Sequence, residues 1–166
     1  AIDYCVSGEG ELTFLELLKH LESGEPAVSN IAGLSYRPNR NVSFTVNSKR
    51  KPFKSLSEIP SPFLKGIVDE DVLARNDIEA NLETQRGCNL RCSYCIYHKD
   101  MDRVAYAEIE RVIDEVRYVT KRGVKKIRFV DANFSSQKNH AKTVMKGLIR
   151  ERFEASLFFE LIPGFI

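Results

Sequence analysis

The sequence predicts an α/β protein in two parts: the closing edge of an α/β sandwich, then the opening strands and helices of a β/α barrel. Three observations carry this expectation. Residues 1–46 begin with a strand, a Gly-rich turn and a helix. Residues 47–80 lose all sustained period. Residues 81–166 regain it as strand, helix, strand, helix, strand.

In the first part, Ile2-Asp3-Tyr4-Cys5-Val6 is a short strand, and Ser7-Gly8-Glu9-Gly10-Glu11 is the turn after it. Thr13 and Glu16 have the spacing of a capping box, in which each side chain satisfies an amide orphaned at a helix start. Phe14, Leu17, Leu18 and Leu21 follow at helical intervals, and Ser23-Gly24 ends the helix. Ile31–Tyr36 and Val42–Val46 are β-prone runs around Pro38-Asn39-Arg40-Asn41, the signature of a hairpin. Pro52, Pro60 and Pro62 then punctuate a stretch that reads as an extended linker over 47–80.

From Asn81 onward, Leu82–Arg86 is a strand running into Gly87-Cys88. Ile109, Val112, Ile113 and Val116 mark an amphipathic helix that Lys121, Arg122 and Gly123 close. A strand over Lys126–Val130 precedes a helix capped by Ser135 or Ser136, with Ala141, Val144, Met145, Leu148 and Ile149 on its apolar face. Ser156–Ile162 is the third strand. Strands separated by whole helices pair in parallel through right-handed crossovers. Alternation puts apolar faces toward the helices and turns Arg128 and Glu160, with Glu83 or Gln85, toward the barrel interior. A packed barrel core is built of Val, Ile and Leu. Charged inward positions therefore imply a lumen that receives a polar ligand, or two charges that neutralise each other across strands.

Composition narrows the function classes. The chain is 43% hydrophobic and 29% charged, as soluble globular proteins are, and no run approaches the roughly 18 apolar residues of a membrane span. A net charge of +2, with basic and acidic residues interspersed, gives no footprint for nucleic acid. Of four cysteines, Cys88, Cys92 and Cys95 fall on one short loop, whereas a disulfide framework would spread them, so a reducing cytoplasm is expected. The chain opens at Ala1 without Met and stops at Ile166 just after a strand-like run, which is expected of an internal piece of a longer polypeptide, inactive alone.

The chemistry lies in Gly87-Cys88-Asn89-Leu90-Arg91-Cys92-Ser93-Tyr94-Cys95. Three thiolates spaced C-x3-C-x2-C can ligate three corners of a cubane and leave one iron open. The loop follows the first strand of the barrel region, at the end where β/α barrels place their reactions. The competing reading is a zinc site completed by Cys5 or a histidine, although structural zinc cysteines come as paired C-x2-C units and no second pair is present. His98 follows the loop and reads as exposed; His20 and His140 lie on helices without assigned roles, and Cys5 reads as a buried thiol.

With Tyr94 before the last cysteine, this motif resembles the radical S-adenosylmethionine superfamily. The resemblance implies a 4Fe-4S cluster on Cys88, Cys92 and Cys95, whose open iron takes the amino and carboxylate groups of S-adenosylmethionine. The reduced cluster then cleaves the sulfonium to a 5′-deoxyadenosyl radical. Tyr94, Asp131-Ala132-Asn133 after the second strand, and Glu160 become cofactor-binding candidates; the family often has Gly-Gly-Glu where Asp131-Ala132-Asn133 stands.

Gly8-Glu9-Gly10-Glu11, Ile31-Ala32-Gly33-Leu34 with Tyr36-Arg37, Ile59-Pro60-Ser61-Pro62 and Glu83-Thr84-Gln85-Arg86 resemble, in order, the cobalamin-associated branch. That implies a Rossmann-like cobalamin-binding domain ending at residue 46, Gly8 and Gly10 at the lower edge of a cobalamin site, and a truncated TIM-type barrel from residue 81. The expected function is a cobalamin-dependent methyltransferase or related transferase acting on unreactive carbon or phosphorus. It would take a small-molecule substrate and electrons from a flavodoxin or ferredoxin. The alternatives are a methylthiotransferase-like radical enzyme, or a non-catalytic iron–sulfur or zinc module. No catalytic residue is singled out.

Overall fold

A computed structural model of the chain describes residues 2–39, 41–97 and 103–165, which form a mixed α/β fold in two compact units, residues 1–53 and 54–166. His98 lies outside the described residues.

In the first unit, β1 (Tyr4–Val6) leads through Gly8, whose φ of 79° suits a residue without a side chain, into α1 (Glu11–Ser23). β2 (Leu34–Tyr36) pairs antiparallel with both β1 and β3 (Thr45–Val46), so the expected hairpin is present with Ser35 opposite Val46. The expected capping box is not. Gly10 takes the cap position, no side chain caps the helix, and Thr13 lies inside the first turn. Thr13 is instead buried and donates its hydroxyl to the Ala32 carbonyl at 2.9 Å, while Glu16 pairs with Arg50. Leu17, Ile31 and Leu34 form this unit's small core. Cys5, expected as a buried thiol, is exposed.

The second unit is built on a three-stranded parallel sheet of order β4 (Ala80–Leu82), β7 (Lys126–Phe129), β8 (Ser156–Phe159). Between β4 and β7 the chain passes through α3 (Ile109–Lys121), and between β7 and β8 through α4 (Lys138–Glu151). Ala80, Leu82, Ile127 and Phe129 alternate onto the face covered by these helices, where Val112, Val116, Val119, Ala141, Val144 and Leu148 meet them. The C-terminus of α3 closes as expected: Gly123 takes φ 102°, its amide reaches the Thr120 carbonyl, and the Val124 amide reaches Val119. Of the predicted apolar face of α4, Ile149 is 74% exposed. Neither Ser135 nor Ser136 caps that helix, which begins at Gln137 with no side-chain cap.

Residues 54–80, whose sequence shows no period, fold with this unit. Leu56 and Leu73 are buried in its core, the first on a short 3-10 turn and the second on α2 (Glu70–Leu73). Arg111 of α3 holds the turn by donating to the Leu56 and Ile59 carbonyls, and pairs with buried Glu115 at 3.1 Å.

The strand expected over Leu82–Arg86 is two. After β4 the chain breaks at Glu83-Thr84, and β5 (Gln85–Arg86) leaves the parallel sheet to pair antiparallel with β6 (Ala105–Tyr106). The chain between β5 and β6, which carries the three cysteines, is therefore the loop of a two-residue ladder.

Candidate functional site

The cysteine loop starts where the C-terminal end of β4 gives way to β5. Gly87 takes φ 107°, and a Cβ on it would stand 2.5 Å from the Arg103 carbonyl oxygen, so only glycine lets the two ends of the loop approach this closely. Cys88, Cys92 and Cys95 are all free and half-buried, and a turn joins the last two, with the Cys95 amide on the Cys92 carbonyl at 3.1 Å. Among the described residues no three His, Cys, Asp or Glu side chains are gathered closely enough to hold a metal ion. The donor set itself, three thiols on one loop, suits an iron–sulfur cluster. Tyr94 projects from the loop with 91% of its surface exposed.

The segment after β7 lies beneath the start of this loop, and its polar side chains turn inward. Asp131 is 1% exposed, and its carboxylate accepts from the Thr84 amide at 2.8 Å, the Thr84 hydroxyl at 2.6 Å and the Gln85 amide at 3.0 Å. It fills the gap that opens in backbone pairing where the chain leaves β4 for β5. Burial pushes the Asp131 carboxyl up to about 6, against the pull of these three donors, the Thr84 hydroxyl foremost.

Asn133, also buried, accepts from the Ser135 hydroxyl at 2.7 Å and the Ser135 amide at 3.2 Å, and donates to the side-chain oxygen of Asn89 at 3.3 Å. Asn89 in turn donates to the Ser136 carbonyl at 3.2 Å. Gln85, wholly buried, donates to the Asn133 carbonyl and accepts from the Ser136 hydroxyl at 2.6 Å; that hydroxyl also meets Tyr106 at 3.1 Å. The ring of His140 lies 4.7 Å from that of Tyr106, and burial holds its imidazole below the usual range.

Among the expected site residues, Asp131 and Asn133 thus join the base of the cysteine loop through their side chains, while Ala132 between them is exposed. Glu160 is exposed at the end of β8, and its carbonyl receives the Phe134 amide at 2.8 Å. Arg128 lies with Asn81 and Phe158 on the sheet face away from the helices, but its ion-pair partner is Glu79 at 2.7 Å, and its guanidinium covers the Phe158 ring at 4.2 Å. Glu83 pairs with Arg86 at 2.8 Å, and Gln85 points into the polar network. In the first unit, Gly8 is exposed and Gly10 caps α1; Glu9 between them accepts the Phe53 amide at 2.6 Å.

Sequence reasoning missed Thr84, Asn89, Ser135, Ser136 and Tyr106. The signal available was a polar pair, Thr84-Gln85, following the buried Leu82 at the point where a strand should continue.

Residues 82–162 match the Radical SAM superfamily model. Over 138 residues, 80% of this chain, it is 33% identical to the cobalamin-dependent radical SAM methyltransferase TokK of Streptomyces tokunonensis, covering 20% of that protein. Over 164 residues, 93% of this chain, it is 32% identical to the uncharacterized methyltransferase PH0819 of Pyrococcus horikoshii, covering 34%. The chain spans between a fifth and about a third of the length of these relatives. Its fold is that of the cobalamin-dependent S-adenosylmethionine radical enzyme OxsB, with a TM-score of 0.69 at 20% identity over 93% of this chain and 22% of that one. The family match runs from the last residue of β4 past the end of β8 and takes in the whole cysteine loop, and it is this part of the chain, residues 82–162, that carries the Radical SAM superfamily pattern.

Proposed function

We propose that this chain carries the cluster-binding part of a cobalamin-dependent radical S-adenosylmethionine methyltransferase that acts on a small molecule. In this reading the parallel sheet β4-β7-β8 with α3 and α4 is the first part of a TIM-type β/α barrel. The first unit is the closing edge of a Rossmann-like cobalamin-binding domain, with Gly8 and Gly10 at the rim of the cobalamin site. Cys88, Cys92 and Cys95 hold a 4Fe-4S cluster by three corners, which leaves one iron for S-adenosylmethionine. When bound, that cluster supplies the electron that cleaves the sulfonium; a flavodoxin or ferredoxin is the expected electron source.

The chain's own residues do the positioning. Gly87 lets the loop double back on itself; Asp131 fixes the turn out of β4; Asn133 and Ser136 meet Asn89 beside the first cysteine. Tyr94, exposed next to the last cysteine, would offer its ring to the coenzyme as a flat surface. The observation that carries the reading is the three-cysteine loop set at the C-terminal end of the parallel strands, in a chain 33% identical to TokK.

Anaerobic reconstitution of the full-length protein tests it. The expected result is about four irons per chain and a cluster spectrum that S-adenosylmethionine perturbs, both abolished by Cys88→Ser, Cys92→Ser or Cys95→Ser. A colourless protein holding one zinc would overturn it.

A further inference from the structure

The polar side chains at the base of the cysteine loop form a directed chain, and one link of it has no structural necessity of its own. Asn133 is 2% exposed, and its side-chain oxygen is already held by both the amide and the hydroxyl of Ser135. Those two bonds fix the plane of the amide group. Its nitrogen is thereby aimed out of the core at a single acceptor, the side-chain oxygen of Asn89. Asn89 is exposed and occupies the position directly after Cys88. It answers with its own nitrogen on the Ser136 carbonyl. Two bonds of opposite direction thus tie an exposed loop side chain to the segment after β7.

An exposed asparagine satisfied by water would cost the fold nothing. A pair that reaches from a buried, pre-oriented amide to the loop residue beside the first thiol instead defines where that thiol sits. The same segment supplies the Asn133 carbonyl to Gln85 and the Ser136 hydroxyl to the Gln85 oxygen, so both partners of Asn89 are themselves fixed by β5. We propose that Asn89 and Asn133 are a positioning pair that anchors the Cys88 end of the cysteine loop to the segment after β7, so that a cluster bound there presents its open iron to S-adenosylmethionine. The proposal rests on the cluster reading above. Both act through the backbone next to Cys88.

The test uses full-length protein, anaerobically reconstituted, with two variants and their combination. Asn89→Ala removes both loop bonds at an exposed site. Asn133→Asp keeps the acceptor that Ser135 needs and replaces the donor aimed at Asn89 with an oxygen, at the cost of a buried carboxylate. Iron content and thermal melting are read first, then the S-adenosylmethionine dependence of the cluster's electron paramagnetic resonance spectrum.

The expected result is unchanged melting in Asn89→Ala and about four irons per chain, with an altered spectrum in the presence of S-adenosylmethionine. Apparent affinity for it should weaken roughly threefold to tenfold, the scale of one hydrogen bond. Because the two residues act as one pair, the double variant should be no worse than the weaker single. Unchanged affinity and spectrum in Asn89→Ala would overturn the proposal. Additive losses in the double variant would do the same, as would loss of iron with melting preserved, since that outcome assigns Asn89 to cluster retention. Wild-type protein that fails to take up iron defeats the cluster reading itself, whereas wild-type success with silent variants defeats only the pairing.

Discussion

Asp131 offers the sharpest single test of how the loop base is built. Its Oδ1 is shared by two backbone amides, Thr84 and Gln85, at positions with no exposed surface, where the chain leaves the parallel sheet at the end of β4. Asp131→Asn keeps an oxygen in that place, and the Thr84 hydroxyl can rotate to accept from the new amide. Asp131→Ala removes the oxygen. Both variants lose the buried charge, so comparing them isolates the two amides. Each buried donor left without an acceptor costs about 1–3 kcal/mol, which sets the difference between alanine and asparagine at roughly 2–6 kcal/mol. Against a total stability of about 5–15 kcal/mol for a domain, that is a large fraction. Urea unfolding of the two variants at one pH, compared at equal slopes, measures it. Alanine and asparagine within about 1 kcal/mol of each other would show that water or a backbone shift satisfies these amides, and the account of the β4–β5 break would be wrong.

The raised pKa of Asp131 predicts a pH dependence. Folded protein keeps the proton up to about pH 6 whereas unfolded chain releases it near 3.8, so stability contributed by this group is complete below that lower value and falls as pH rises toward 6. The fall is about 3 kcal/mol, and Asp131→Asn should remove it from a stability–pH profile. Gly87→Ala would put a methyl group against the Arg103 carbonyl at a backbone angle that L-residues rarely adopt; iron uptake should drop severalfold while α3 and α4 keep their helical signal in circular dichroism. Arg111→Leu strips the partner from buried Glu115 and should cost about 3–5 kcal/mol in chemical unfolding, much of it recovered by Arg111→Leu with Glu115→Leu.

The elements legible in the sequence are those whose stability is written locally. The 3.6-residue period of Ile109, Val112, Ile113 and Val116 survives as the stripe by which α3 packs into the core, and Gly123 ends that helix as its sequence demands. The cysteine spacing was legible for the same reason, since a motif within one loop needs no tertiary information. What escaped depends on partners far along the chain. Leu82–Arg86 looked like one strand because its register change is imposed by Ala105 and Tyr106, two residues with no strand signal of their own. Thr13 and Glu16 have the capping-box spacing, yet Gly10 starts the helix earlier and hands both side chains to Ala32 and Arg50. Ser135 and Ser136 resemble caps, yet Asn133, Gln85 and Tyr106 claim their hydroxyls. Arg128 was rightly separated from the apolar face, but its neutralising partner Glu79 lies before the strand register that alternation could follow.

The small ladder of β5 and β6 has a consequence for the life of the protein before it meets iron. Gln85–Arg86 and Ala105–Tyr106 close on each other at the neck of the loop, outside the ladder of β4, β7 and β8, so rearrangement of the thiols need not break that ladder. Under the proposed cluster reading, the sheet and its helices are already in place, and taking up the inorganic cargo asks only the loop to draw its thiols together.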